Sequence, residues 1–240
     1  MVENNPLYSI LITSYECHGY GVQFIKENME AIISQEYRPI QVVISDHSKN
    51  DDIENVISAM DTSGVEVIYK RYEEHYGNPC HNWNNALLYA TGDYIHYLAL
   101  DDRLYDKKSV MTIVNYAEKN KESRWFATAH ITEPENTKFI PRWNDNILIK
   151  NTISGPSAIV IRKDLRHIRL DPAFIYNLDL DWYYRLYKEA GVPNCIGDPC
   201  WINRCGPHQL TRVVCTAENN RREDEHLIKK YGYPLPRSPA

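Results

Sequence analysis

The sequence predicts an α/β fold, a single domain with a mostly parallel sheet flanked by helices on both faces. Three observations carry this. Short apolar runs of strand length alternate with segments whose apolar residues recur at helical spacing. The run Tyr94-Ile-His-Tyr-Leu-Ala-Leu100 is apolar enough for a central strand covered on both sides. The chain has 240 residues, 43% hydrophobic and 25% charged, long enough to bury a sizeable core and ordinary for a globular protein.

Taken in order, Tyr8–Thr13 reads as an apolar strand followed by a polar loop from Ser14 to Gly21. Val22, Ile25, Met29, Ile32 and Ile33 define one helical face. Pro39 stops that helix, and Ile40–Ile44 is a second strand ending in Ser45-Asp46-His47-Ser48. Asp51–Met60 is a short helix and Val65–Tyr69 a third strand. His81–Ala90 is a helix with Gly92 expected at its C′ position. The strand Tyr94–Leu100 follows and runs straight into Asp101 and Asp102.

Asp106 is placed to cap a helix presenting Val110, Ile113, Val114 and Ala117. Trp125–Ile131 and Ser157–Ile161 read as strands. The polar, Pro-containing stretch 132–152 is expected to be a loop over the sheet. Leu178–Ala190 reads as a helix stopped by Gly191, and 217–231 as a charged helix whose Arg221–Glu225 run is a solvated face.

Composition excludes some functions. With 27 basic and 32 acidic side chains the net charge is −5, unsuited to nucleic-acid binding by phosphate neutralisation. No run is apolar for long enough to cross a bilayer, so no transmembrane segment is expected. Met1–Pro6 has no secretory character, which leads to an expectation of the cytoplasm, with a peripheral contact where a membrane is involved. The six cysteines form no C-x-x-C pair and are expected as reduced thiols, with a zinc clip the minor alternative.

The chemistry concentrates in acidic residues at element ends. Asp101 and Asp102 close a buried strand, and open α/β sheets bind ligands at the carboxyl ends of their strands. Adjacent carboxylates there invite an oxygen-seeking divalent cation. Asp46 ends the second strand. Asp179 and Asp181 begin a helix; two residues apart they point to different faces and do separate jobs, although an Asp at a helix start is often only a cap.

Four blocks in order resemble the family 2 glycosyltransferases of the GT-A fold, inverting enzymes using nucleotide diphosphate sugars. They are Tyr8-Ser-Ile-Leu-Ile-Thr-Ser-Tyr15, Gln41-Val-Val-Ile-Ser-Asp-His-Ser48, Asn82 through Asp102, and Leu178-Asp-Leu-Asp-Trp-Tyr-Tyr-Arg185. The likeness runs from Tyr8 to about Thr211. It implies donor contacts from Thr13, Ser14, Tyr15, Asp46, Ser48, Asn85, Asp101 and Arg204. It implies a Mn²⁺ or Mg²⁺ ion at Asp102, Asp101 and His208, and Asp179 as the general base. Gly155, Ser157 and Asp181 fall on the acceptor side, with Arg185 holding Asp181.

The resemblance further implies a domain over 1–216, with nucleotide binding to about residue 105 and acceptor binding over about 106–216, then a helical tail 217–240. The partners would be a nucleotide diphosphate sugar and a glycan, lipid-linked or protein acceptor, in glycan or polysaccharide synthesis. Two positions depart from the family pattern. Ala99 and Leu178 stand where relatives often carry acids, which weakens the case for strict metal dependence and keeps open a non-catalytic nucleotide-sugar or glycan-binding module. Thr13–Gly21 has no lysine or arginine to hold a triphosphate, against a nucleotidylyltransferase. It also has no G-x-G-x-x-G, against a dinucleotide-dependent dehydrogenase.

Overall fold

Why the first half of the chain forms a sheet is plain from its burial. Strands β1 (Tyr8–Ser14), β2 (Ile40–Asp46) and β4 (Tyr94–Ala99) are buried along almost their whole length. Side chains on both faces therefore need cover, and helices α1 (Gly21–Ile33), α2 (Asp52–Ala59) and α3 (Pro79–Tyr89) supply it. Strand β3 (Glu66–Arg71) pairs only with β2 and is half-exposed, as an edge position allows. The structure, a computed structural model, describes residues 5–209 and 214–232.

The parallel registers fix where the site lies. Ser14 pairs with Asp46 across β1 and β2, and Thr13 with Ala99 across β1 and β4. The carboxyl ends of the three strands thus share one edge, just where the chain continues into Asp101 and Asp102.

The second half mixes strand directions. Two-residue β5 (Arg103–Leu104) leads to α4 (Ser109–Lys119), β6 (Trp125–Glu133), β7 (Thr137–Phe139) and β8 (Ile159–Arg162). Then come α5 (Leu178–Ala190), β9 (Asn194–Arg204) and α6 (Ala217–Tyr231). Among the described residues nine strands form one sheet in the order β3-β2-β1-β4-β8-β6-β9-β5, with β7 on β6. Strand β8 runs antiparallel to both β4 and β6, while β6 and β9 are parallel. The fold is the expected mixed, mostly parallel α/β sheet with flanking helices.

Several sequence expectations are corrected. Strand β9 was not anticipated, because Gly197, Asp198 and Pro199 interrupt its alternation; two register shifts against β6 absorb them. The 132–152 stretch is not all loop: β6 continues to Glu133, β7 hairpins onto it, and Ile147 and Leu148 join the core. The segment before β8 forms a 3₁₀ turn over Pro156–Ala158, so the strand starts at Ile159. Asp106 accepts from the Lys108 amide at 2.8 Å, and Lys108 is the N-cap of α4. Gly92 is no C′ glycine, since α3 ends at Tyr89 with Ala90 as C-cap. A Cβ on Gly92 would meet the Ser9 backbone nitrogen at 2.7 Å, so close approach to β1 demands glycine there. Gly191 ends α5 with φ 77° as expected.

The Arg221–Glu225 run is also not simply solvated. Glu223 is fully buried and Leu227 lies in the hydrophobic core, so α6 packs on the body of the domain.

Candidate active site

The carboxyl edge of the sheet opens into a cavity of about 570 Å³, a size suited to a small-molecule ligand. Thr13 and Tyr15 from the end of β1 line it, together with Ala99, Leu100 and Asp101 after β4. Helix α3 contributes Pro79, Asn82 and Trp83, and the loops after β2 and β3 contribute His47, Lys49 and Tyr76. Helix α3 starts here because the Asn78 side chain accepts from the Cys80 amide at 3.0 Å and Pro79 occupies its first turn.

Asp101 and Asp102 are adjacent but differently employed. Asp101 lines the cavity with 24% of its side chain exposed, and its Oδ2 lies 3.8 Å from His208 Nε2. Asp102 turns inward: its Oδ2 accepts from Ser157 Oγ at 2.5 Å and its Oδ1 from the Arg204 amide at 3.3 Å. Burial raises the pKa of both carboxyls, and the neighbouring Asp101 charge pushes Asp102 up further.

His208 is buried against Phe24 at 5.0 Å and Tyr20 at 5.9 Å between ring centroids. Gly206 makes room for it, since a Cβ there would meet His208 Cε1 at 2.4 Å. The Arg204 guanidinium pairs with Glu27 and lies 4.4 Å over the Phe24 ring. Leu210 and Thr211, where the family likeness ends, lie outside the described residues.

Asp101 and His208 bring a carboxylate and an imidazole to one spot beside the cavity, and the carboxylate oxygen is the donor that suits Mn²⁺ or Mg²⁺. Asp102 has both oxygens engaged within the protein. Among the described residues no three His, Cys, Asp or Glu side chains are grouped as a metal set. The residues fit an ion completed by ligand phosphates and water rather than a closed protein cage. The six cysteines are free thiols.

Asp46 is fully buried and serves the framework. Its Oδ1 accepts from Ser14 Oγ, Ser48 Oγ and the Ser48 amide at 3.0, 2.6 and 3.0 Å, and its Oδ2 from Tyr69 at 2.6 Å. Arg71 approaches the same oxygen at 3.9 Å. Asn85 donates to Ser45 Oγ at 2.8 Å. Ser14, Asp46, Ser48 and Asn85 thus form the wall behind the cavity, which Thr13, Tyr15 and Asp101 line.

Sequence reasoning passed over His18, His47, Lys49, Tyr76, Asn82 and Trp83, all of which line the cavity. His47 stacks on Tyr72 at 5.0 Å and lies 5.5 Å from Tyr76, above whose ring Lys49 sits at 5.9 Å. Burial lowers the His47 pKa. His47 Nε2 and Asn82 Oδ1 have no hydrogen-bond partner among the described residues. These residues come from four separate elements and loops, so no spacing along the chain reveals them. His75 and His81 stack on each other at 3.8 Å, and His130 packs between Phe139 and Trp201.

On the other side, Asp179 Oδ2 accepts from Asn151 Nδ2 at 2.6 Å. The same Asn151 nitrogen donates to the Ser154 carbonyl at 3.0 Å, tying Asp179 to the loop that enters Gly155. A Cβ on Gly155 would meet nothing within 4 Å, so that loop borders open space. Ser157 is buried and holds Asp102. Asp181, fully buried, is bound by Arg185 Nη2 at 2.6 Å; Lys230 and the Tyr231 hydroxyl reach its other oxygen at 2.7 and 2.6 Å.

Comparisons with known proteins give the family and the fold. Residues 9–185 match the model of glycosyl transferase family 2. A GalNAc(5)-diNAcBac-PP-undecaprenol beta-1,3-glucosyltransferase of Campylobacter jejuni is 24% identical over 80 residues, 33% of this chain and 26% of that protein. The S. aureus TarS 1-349 structure in complex with UDP-GlcNAc superposes with a TM-score of 0.67 at 16% identity, over 84% of this chain and 60% of that one. The mannosyltransferase PcManGT from Pyrobaculum calidifontis, in complex with GDP-Man and Mn²⁺, gives 0.67 at 14%, over 96% of this chain and 64% of that one. The solved structures show the fold. This chain spans less than two thirds of each of the three proteins.

Proposed function

The chain belongs to glycosyl transferase family 2, and from that premise we propose that it moves a sugar from a nucleotide diphosphate donor to an acceptor hydroxyl, in glycan synthesis. The observation that carries this is the cavity at the carboxyl edge of the sheet, with Asp101 on its wall and His208 3.8 Å away. The nucleotide occupies the part built from residues up to about 105, and the acceptor approaches from about 106 onward.

Asp179 is the proton acceptor. The acceptor hydroxyl attacks the anomeric carbon from the face opposite the diphosphate, its proton passes to the Asp179 carboxylate, and the bond to the diphosphate breaks with its electron pair. One displacement inverts the anomeric configuration. The Asn151 hydrogen bond orients the carboxylate for that transfer. Asp101 and His208 would hold a Mn²⁺ or Mg²⁺ ion, which supplies positive charge to the departing diphosphate. Arg204 adds a fixed positive charge beside the same carboxylates. The acceptor is a glycan, a lipid-linked molecule or a protein. No helix of the described residues is long and apolar enough to cross a membrane.

A thermal-shift panel of UDP-, GDP- and other nucleotide sugars, with and without Mn²⁺, tests the reading, paired with an assay for nucleotide diphosphate release. At a hundredfold excess over Kd a donor stabilises by about 2.7 kcal/mol, roughly 5–10 °C in Tm for a chain of this size. No shift with any nucleotide sugar overturns the proposal. A shift with no diphosphate release, with or without acceptor, identifies a binding module instead.

A further inference from the structure

Helix α6 lies entirely beyond the residues that match the family, yet its Glu223, Lys230 and Tyr231 grip the segment around Asp179. We propose that α6 is a clamp whose Glu223, Lys230 and Tyr231 are positioning residues for the transfer step. This rests on Asp179 being the base of the proposed reaction.

The clamp acts at two points. Glu223, with no exposed surface, accepts from the backbone amides of Ile175, Tyr176 and Asn177, at 2.7 Å, 3.2 Å and 2.8 Å. These amides immediately precede the first turn of α5, where a negative charge also complements the helix dipole. Two residues past Asp179, the Asp181 carboxylate is shared between α5 and α6. Arg185 holds one oxygen, while Lys230 Nζ and the Tyr231 hydroxyl hold the other at 2.7 and 2.6 Å.

A carboxylate with no exposed surface is tolerable only with such partners, so the contact is rigid rather than optional. Asp179 and Asp181 lie on different faces of α5. The clamp therefore grips one face and leaves the other for Asp179 to meet Asn151.

The turn between Leu170 and Asn177 also ties α3 to this assembly. Asn84 exchanges hydrogen bonds of 2.8 and 2.9 Å with the Leu170 backbone, and Asn78 donates to the Pro172 carbonyl at 2.9 Å. Lys230 reaches Asp171 at 2.6 Å. One turn thus connects the helix lining the donor cavity, the helix carrying the base, and the clamp. A base displaced by about 1 Å costs on the order of a hundredfold in rate, so loosening the clamp acts on turnover before it acts on donor binding.

The test compares Lys230→Met, Lys230→Arg and Glu223→Gln with the unaltered chain, using UDP-GlcNAc and GDP-Man as donors. Hydrogen exchange of the Leu178–Tyr183 amides is expected to rise at least tenfold in Lys230→Met and Glu223→Gln, with β1 and β2 unchanged. Transfer kcat is expected to fall tenfold or more with the donor KM within twofold, and Lys230→Arg is expected to recover most of it. Unchanged exchange in α5 overturns the clamp whether or not either donor turns over. Loosened α5 with kcat unchanged, or a loss confined to the donor KM, overturns its positioning role. A chain that releases nucleotide from neither of these nor any other nucleotide sugar of the panel fails the transferase reading separately, and the exchange data still decide whether α6 holds α5.

Discussion

Ser157 Oγ donates to Asp102 Oδ2 at 2.5 Å and accepts the Ala99 amide at 2.9 Å, so one buried hydroxyl closes the turn that presents Asp101 to the cavity. Two adjacent carboxylates that look equivalent in sequence are thereby divided. Asp102 is fastened to the sheet, and Asp101 is left for a ligand.

Ser157→Ala leaves a carboxylate oxygen and an amide without their partner in a fully buried place. The expected cost is about 2–3 kcal/mol, read as a lowered urea midpoint at unchanged slope. A change under about 0.5 kcal/mol, the size of an ordinary surface substitution, would show that Ser157 does not hold this turn.

Asp46 is the hub of the wall behind the cavity, accepting from Ser14, Ser48 and Tyr69 while facing Arg71. Burial and the Asp46 bond raise the Tyr69 pKa, keeping its hydroxyl a donor. Asp46→Ala is expected to destabilise the chain by about 3 kcal/mol, with nucleotide affinity of the remaining folded protein changed little. Full stability with lost UDP or GDP binding in calorimetry would return Asp46 to direct contact with the ligand.

For Asp179 the expectation is the reverse. Asp179→Asn keeps the size of the side chain and removes its ability to take a proton. Transfer should fall by about 10²–10⁴, with donor affinity, measured by calorimetry, within twofold of the unaltered protein. Retained transfer would place the base elsewhere.

His96 gives a pH signature. Burial lowers its pKa to about 4, and Tyr8 and the Ser157 carbonyl occupy its two nitrogens. The unfolded chain, with an ordinary histidine pKa near 6.5, binds the proton first. His96 therefore removes stability as pH falls from about 6.5 to about 4, amounting to roughly 3 kcal/mol at the bottom of that window. The buried Asp101 and Asp102, with raised pKa values, contribute in the opposite sense. The variant comparison isolates the histidine: His96→Gln should flatten the slope of unfolding free energy between pH 4 and 6.5 relative to the unaltered chain. An unchanged slope refutes the assignment.

How much of this was legible beforehand depended on whether the signal was local. Strands β1, β2 and β4 announce themselves because nearly every position is buried and each carries an apolar run, and Arg185 with Asp181 follows from helical spacing alone. Strand β9 hid behind Gly197 to Pro199, since its pairing depends on register shifts that only β6 explains. The role of Glu223 was invisible because a charged run on a helix looks solvated until the amides it accepts, some fifty residues away, are in place. The same holds for the His47, Lys49 and Tyr76 group, which two loops assemble.

That group yields the last expectation. Tyr76 is 45% exposed, lines the cavity, and lies 5.5 Å from the His47 ring, so its exposed surface is suited to stacking on a flat, electron-poor ring such as a nucleobase. Because so much of the ring faces solvent, its removal should leave the fold's stability nearly intact. Stacking of one base on an aromatic side chain contributes about 1–3 kcal/mol, so Tyr76→Ala should weaken UDP or GDP binding about 5- to 150-fold, while Tyr76→Phe should keep most of it. Calorimetric titration distinguishes the cases. Equal affinity in the alanine variant would mean that the base lies against another wall of the cavity, and the stack of His47 on Tyr72 would then be simple packing.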